Sequence, residues 1–283
     1  MVVTDNFVYI HSPKSGGTFV TEMLLEAAAR NSEFNACDLT DLKHAGVRRI
    51  PEKFRHLPVV TNRRNVFSHY MSRYYYRWWT VDKRIRKILD IDRVMADYPS
   101  FPELSFSEYL RFVNHWPYRL NIKPKLRALL EKREIGYNTW EFVRLTQQKP
   151  TATLRTFDKI PTEQLRDQYA SMRFLKTESL NEDLVELLVE SGIARQETTF
   201  ILDHRKIIPK PAERKNIRAW LGYLSSRLPR NLIAPSQQKT TDRETRWQAL
   251  YSASDIDFVL RRDRLYFTLF PEMQPVHTGT RDD

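Results

Sequence analysis

The stretch YIHSPKSGGT, residues 9–18, decides how the rest of the chain is read. It closes a short apolar run, Phe7-Val8-Tyr9-Ile10, that reads as a strand through His11. A helical pattern, TFVTEMLLEAAAR over Thr18–Arg30, starts directly behind it. A helix begins with unpaired N–H groups carrying partial positive charge, and glycines let the backbone curl around an anion. Gly16, Gly17 and the N–H of Thr18 are therefore expected to form an anion cradle. Thr18 is expected to cap the helix and offer its hydroxyl, and Lys14 adds a full charge. Pro13 and Ser15 complete the loop.

Working outward, strands and helices alternate. Leu57–Asn62 reads as a second buried strand, followed by a helix through about Trp79. TATLRTF, Thr151–Phe157, alternates as a strand does, and Pro161–Ser171 reads as a helix with proline in its first turn. Arg173–Thr177 is a third internal strand, and Leu180–Ser191 a helix closed by Gly192. Ala253–Phe270 reads as one long helix. This pattern predicts a single α/β domain over residues 1–275, with a central parallel sheet flanked by helices, like that of P-loop nucleotide hydrolases. Residues 80–150 are basic, aromatic and without a convincing strand, so they are expected to form a helical insertion. Residues 203–242 read as surface loop with one helix near Glu213–Leu228, and 276–283 as a frayed tail.

The order of residues in the first loop carries information. A hydrolase P-loop ends in Gly-Lys-Ser/Thr, with the last hydroxyl on magnesium. Here Lys14 precedes the glycines, and no acidic strand-end partner for a metal follows. That weighs against a P-loop kinase.

A second anion-binding pattern lies at the end of the second strand, in VVTNRRNVFSHYMSRYYYRWW, Val59–Trp79. An arginine there can fork onto a phosphate, and serines stand four and eight residues beyond Arg64. Together the two patterns resemble sulfotransferases that use 3′-phosphoadenosine-5′-phosphosulfate (PAPS). SPKSGGT is similar to that family's 5′-phosphosulfate loop. RNVFSHYMSRY is similar to its 3′-phosphate motif, with Arg64, Asn65, Ser72 and Tyr74 in register and Val66 where the family has proline. RFLKTESLNEDL, Arg173–Leu184, resembles the family's strand–Glu–x–Leu–helix element, and YSASDIDFVLRRDRLYFTLF its C-terminal helix. The Arg-Lys-Gly motif of the cytosolic aryl and steroid branch is missing, with Lys239 or Arg243 as substitutes. The chain thus leans toward the carbohydrate-acting and bacterial branches.

The resemblance implies transfer of a sulfuryl group from PAPS to a hydroxyl or amine acceptor, with PAP as product and no metal. Gly16, Gly17 and Thr18 would hold the 5′-phosphosulfate, and Lys14 would neutralise charge on the bridging oxygen. Arg64 and Ser72 would grip the 3′-phosphate. In-line transfer needs a base, and a histidine near neutrality suits it. Of seven histidines, His44 in DLKHAGVRRIP resembles the family's catalytic histidine. Glu22 is the fallback, while His11 and His69 are expected to pack.

Composition sets the outer limits. The formal charge is +11, which favours anionic partners. The single cysteine, Cys37, excludes an internal disulfide and a cysteine metal cluster. With no basic leader followed by a long apolar run, and no run near the ~18 apolar residues of a membrane span, a cytoplasmic protein is expected. The acceptor is expected to be a small metabolite or carbohydrate, with 80–150 as its lid. A nucleic-acid-binding protein is the rival reading, because basic residues and aromatics interleave over Arg63–Trp79. It is disfavoured, because basic residues spread over the whole chain.

Overall fold

The computed structural model describes residues 1–82, 84–204 and 247–275. A five-stranded mixed sheet lies at its centre: β1 (Val2–Thr4), β2 (Val8–Ile10), β3 (Ala36–Asp38), β4 (Val59–Arg63) and β5 (Met172–Lys176). The order is β3-β1-β2-β4-β5. β2, β4 and β5 run parallel, with Tyr9 beside Val60 and Val60 beside Arg173. The expectation of an all-parallel sheet is corrected at the other edge, where β1 is antiparallel to both β2 and β3. Asp5-Asn6 turns β1 straight back into β2, a reversal too short for a crossover helix.

Side chains on a strand alternate between faces. Tyr9 and Val60 therefore pack with Val20, Leu24 and Leu184, on the face covered by helices α1 (Gly17–Arg30) and α9 (Leu180–Glu190). Val8 and Ile10 pack oppositely, against Val47, Ile50 and Leu145. Both faces are covered, which is why these strands read as unbroken apolar runs.

The remaining helices of six or more residues are α2 (Val66–Tyr76), α3 (Ile91–Asp97), α4 (Phe106–Asn114), α5 (Pro124–Lys132), α6 (Tyr137–Thr146), α7 (Pro150–Thr156), α8 (Thr162–Asp167), α10 (Ala253–Arg262) and α11 (Arg264–Leu269). Among the described residues of 80–150 the regular elements are helices, apart from an isolated bridge between Leu89 and Arg119. They share one aromatic core with α2 and the C-terminal helices, built around Phe67, Tyr70, Tyr109, Phe112, Trp116 and Phe267.

Two further expectations are corrected. Residues 150–156 are helix α7, not a strand. Pro150 opens it at a position where a missing N–H costs nothing, and Thr153 and Thr156 bond back to the carbonyls of Lys149 and Ala152. The helix from Ala253 is broken at Asp263, which separates α10 from α11. Its carboxylate accepts from Tyr70 Oη at 2.7 Å and from the N–H of Thr139 at 2.7 Å, so this buried residue answers to α2 and α6 as well as to its own segment. The helix expected near Glu213–Leu228, the substitutes Lys239 and Arg243, and the tail from Val276 lie outside the described residues.

Candidate anion site

Residues 11–16 leave the C-terminal end of β2 and turn into α1. Lys14 and Gly16 both take positive φ, 61° and 81°. At Gly16 a side chain would also meet Leu180, its Cβ 2.4 Å from Leu180 Cδ2. Gly17 is required for a different reason: a Cβ there would lie 2.3 Å from the His11 ring. Glycine is thus needed at 16 for backbone conformation and at 17 for close packing.

Backbone hydrogen bonding gives the loop its polarity. The carbonyl of Pro13 accepts from His69 Nε2 at 2.9 Å, and that of Lys14 from Arg64 Nη1 at 2.8 Å. The carbonyl of Ser15 accepts from Asn62 Nδ2 at 2.5 Å and Thr177 Oγ1 at 3.3 Å. Three successive carbonyls are tied down by side chains from β4, α2 and the end of β5. Residues 13–16 form a turn, but among the described residues no acceptor stands in good hydrogen-bond geometry with the N–H groups of Lys14, Ser15, Gly16, Gly17 or Thr18. The loop therefore has its acceptors committed and its donors open, next to the positive end of a 14-residue helix.

Thr18 does not cap α1. The capping position is Gly16, and Thr18 sits exposed in the first turn. Ser15 is buried, its hydroxyl 3.2 Å from that of Ser12. Lys14 reaches over the Tyr76 ring, Nζ 3.9 Å from the centroid. Burial, reinforced by Arg73 and Arg64, lowers its pKa to about 8. No carboxylate among the described residues pairs with it.

Arg64 stands where β4 gives way to α2. Beyond the Lys14 carbonyl, its Nε donates to Ser68 Oγ at 3.0 Å. Ser68, four residues on, is thus the serine in contact with Arg64, while Ser72 lies half-buried one turn farther along the same helical face. Asn65 caps α2, accepting from Phe67 and Ser68, and its own N–H donates to Glu178 at 3.0 Å.

His44 is carried by a series of 3-10 turns between β3 and β4. Gly46 lets this segment press on α6, since a Cβ there would lie 2.6 Å from the Arg144 carbonyl. The His44 ring meets that of His11 edge-on, centroids 4.8 Å apart, and its Nδ1 is 3.5 Å from the His11 carbonyl. Partial burial of the ring lowers its pKa, with the His11 carbonyl opposing. His11 itself is pushed down to about 3 by burial, with His44 adding to it. Both rings are neutral at pH 7. His69 is also buried and held neutral, and it serves the loop by bonding to Pro13. Glu22 is exposed on α1.

Sequence reading did not single out Arg73 and Glu141, which form a buried ion pair behind the loop. Glu141, His69, Ser12 and Ser15, with Phe142 and Leu145, line a small cavity of about 20 Å³ there, room for about one water. The two residues are 68 positions apart, and no local spacing links them. Among the aromatics after Arg64, Trp79 is core and Trp78 and Tyr74 are half-buried, leaving Tyr75 and Tyr76 exposed. Among the described residues no cluster of His, Cys, Asp and Glu suits a metal, and no helix is long and apolar enough to cross a membrane. Compared with models of known families, with curated proteins and with solved structures, the chain matches none.

Proposed function

We propose that this chain is a sulfotransferase that takes its sulfuryl group from PAPS, on a phosphate-binding strand–loop–helix unit of the P-loop type. The observation that carries the reading is the loop's one-sided hydrogen bonding: carbonyls of residues 13–15 committed, N–H groups of residues 14–18 open. A loop in that state, with a carboxylate-free lysine, fits a phosphosulfate.

The donor supplies an activated sulfuryl group. An oxygen–sulfur bond to the acceptor forms as the sulfur–oxygen bond to the 5′-phosphate breaks, and PAP leaves with that electron pair. Gly16, Gly17 and Thr18 present N–H groups to the 5′ end. Lys14 offsets negative charge growing on the leaving oxygen, and its partial desolvation strengthens that effect. Arg64 takes the 3′-phosphate, helped by Ser68, with Ser72 one turn farther. His44, held at its Nδ1 side by the His11 carbonyl, keeps Nε2 for the acceptor's proton. The strategy is positioning plus electrostatics.

The test is thermal. PAP is expected to raise the melting temperature without magnesium, and ATP much less, by preferential binding to the folded state. If ATP with magnesium stabilises the protein more than PAP does, the reading is wrong.

A further inference from the structure

Lys14 holds a positive φ, 61°, that a residue with a side chain adopts at a cost. Such a conformation persists only where its surroundings fix it. From behind, it is fixed by a line of buried side chains on α2 and α6. The carbonyl of Pro13, the residue before, meets His69 Nε2 at 2.9 Å. The same nitrogen lies 3.2 Å from Nε of Arg73, one turn farther along α2. The line ends in the ion pair between Arg73 and Glu141 of α6. All three side chains are buried.

One nitrogen of a neutral imidazole either donates or accepts. The shorter contact makes His69 Nε2 the donor to Pro13. Arg73 Nε then faces an N–H instead of a lone pair, so Glu141, not His69, holds the guanidinium in place. The other groups around Arg73 are rings and cations. It lies 4.8 Å from the centre of the Tyr137 ring, and its charge acts on Tyr109, Arg119 and Arg144. Among the described residues, Glu141 is its only carboxylate partner. Lys14 in turn faces Arg64, Arg73, neutral His69 and the Tyr76 ring. After burial, Arg73 is the strongest influence lowering its pKa. Glu141 also borders the small cavity behind the loop, with Ser12, Ser15 and Asn138, whose buried Oδ1 is unpaired. The carboxylate thus has a guanidinium on one side and room for a water on the other, which favours its charged form.

We propose that Glu141 is a positioning residue for Lys14: it pins Arg73 behind the loop and cancels a positive charge that would otherwise repel the lysine's own. Glu141 itself touches no ligand. The proposal rests on the sulfotransferase reading only for the identity of the anion that Lys14 meets. With Glu141 neutral, Lys14 gives up its proton about ten times more readily.

The experiment titrates Lys14 in the free protein by NMR, with carbon-13 methyl groups on the lysines and the Lys14 signal assigned by Lys14→Arg. Wild type is expected to titrate at about pH 8, and Glu141→Gln at about pH 7. Arg73→Met/Glu141→Gln removes the repelling charge along with its partner, and there Lys14 is expected to titrate above the wild-type value. Removing a whole buried pair costs less stability than breaking it, so the double variant decides alone where the single one does not fold. A Lys14 that titrates in Glu141→Gln as it does in wild type overturns the proposal. So does a double variant whose Lys14 titrates at or below the wild-type pH. PAP is added second, and in Glu141→Gln its alkaline loss of affinity is expected to begin about one pH unit lower. If Lys14 shifts as expected while PAP affinity ignores the shift, or PAP does not bind, the donor reading fails and the positioning role stands.

Discussion

The sheet half of the molecule and its helical half handle polar groups in opposite ways. Among the described residues up to Arg77, one buried side-chain polar atom, Nδ1 of His11, lacks a partner. Between Trp78 and Thr139 the orphans include Trp78, Tyr109, His115, Arg119, Asn138 and Thr139. The sheet half uses Asn62, Arg64, His69 and Thr177 to fix the carbonyls of a single loop. Its donors then face outward as a finished cradle. The helical half has a dense aromatic core but leaves donors open inside it. One half presents open backbone donors at its rim; the other holds unmet hydrogen-bonding capacity inside its wall.

The largest effect should come from breaking the helical half as a platform. Trp116 is fully buried and donates to the Ile135 carbonyl at 2.7 Å. Trp116→Ala is expected to cost about 3–5 kcal/mol in denaturant unfolding; a loss below about 1 kcal/mol would mean the two halves do not share one cooperative core. Next comes the cradle itself. Lys14→Ala is expected to lower turnover with PAPS by about 10²–10³ while leaving the melting temperature nearly unchanged. Near-normal turnover would remove Lys14 from the chemistry.

A third contrast concerns buried Asp263, which ties α2 and α6 to the break between α10 and α11 and whose pKa burial raises to about 6. An acid raised on folding stabilises the protein below its unfolded pKa, and that stability is lost as pH rises through about 6. Wild type should therefore lose on the order of 2–3 kcal/mol between pH 4 and 6 relative to Asp263→Asn. Parallel stability curves for the two proteins would show that Asp263 titrates normally. The smallest effect is on the sheet side. With Lys14 near pKa 8, PAP affinity should be nearly flat between about pH 7, where the PAP phosphates are fully ionised, and pH 8. Above it, binding must take up a proton, and affinity should weaken toward about tenfold per pH unit. An affinity that stays flat to pH 10 would place Lys14 away from the anion.

The two halves also differ in how legible they were. β2 and β4 were readable because they are buried on both faces and bounded by turn residues; β5, a half-buried edge strand, was readable from the short run Arg173–Thr177 ahead of a clear helix. β1 and β3 were not: β1 is as short and as buried as β2 but has no glycine loop and helix behind it to mark it, and β3 lies at the sheet edge with its middle residue Cys37 exposed. Residues 150–156 mimicked a strand because threonine at every second or third position looks like a pleat. The proline ahead of them held the better information. In the site, the glycines, Lys14 and Arg64 were legible because local spacing encodes them. Ser68 was a choice between two serines that only the Arg64 rotamer makes. Arg73, Glu141 and Arg119 could not be read at all, since their partners are assembled by packing.

The contact at Gly46 also bears on modularity. The turn bearing His44 rests on the backbone of Arg144 and Leu145, and Leu145 packs with Val47 and Ile50. Helix α6 is therefore part of the chassis, although it lies within the stretch that reads as an insertion. Anyone replacing the stretch that follows α2 should cut before Gly136 and keep residues 137–146. A graft that replaced α6 would take away the surface against which the proposed base is braced.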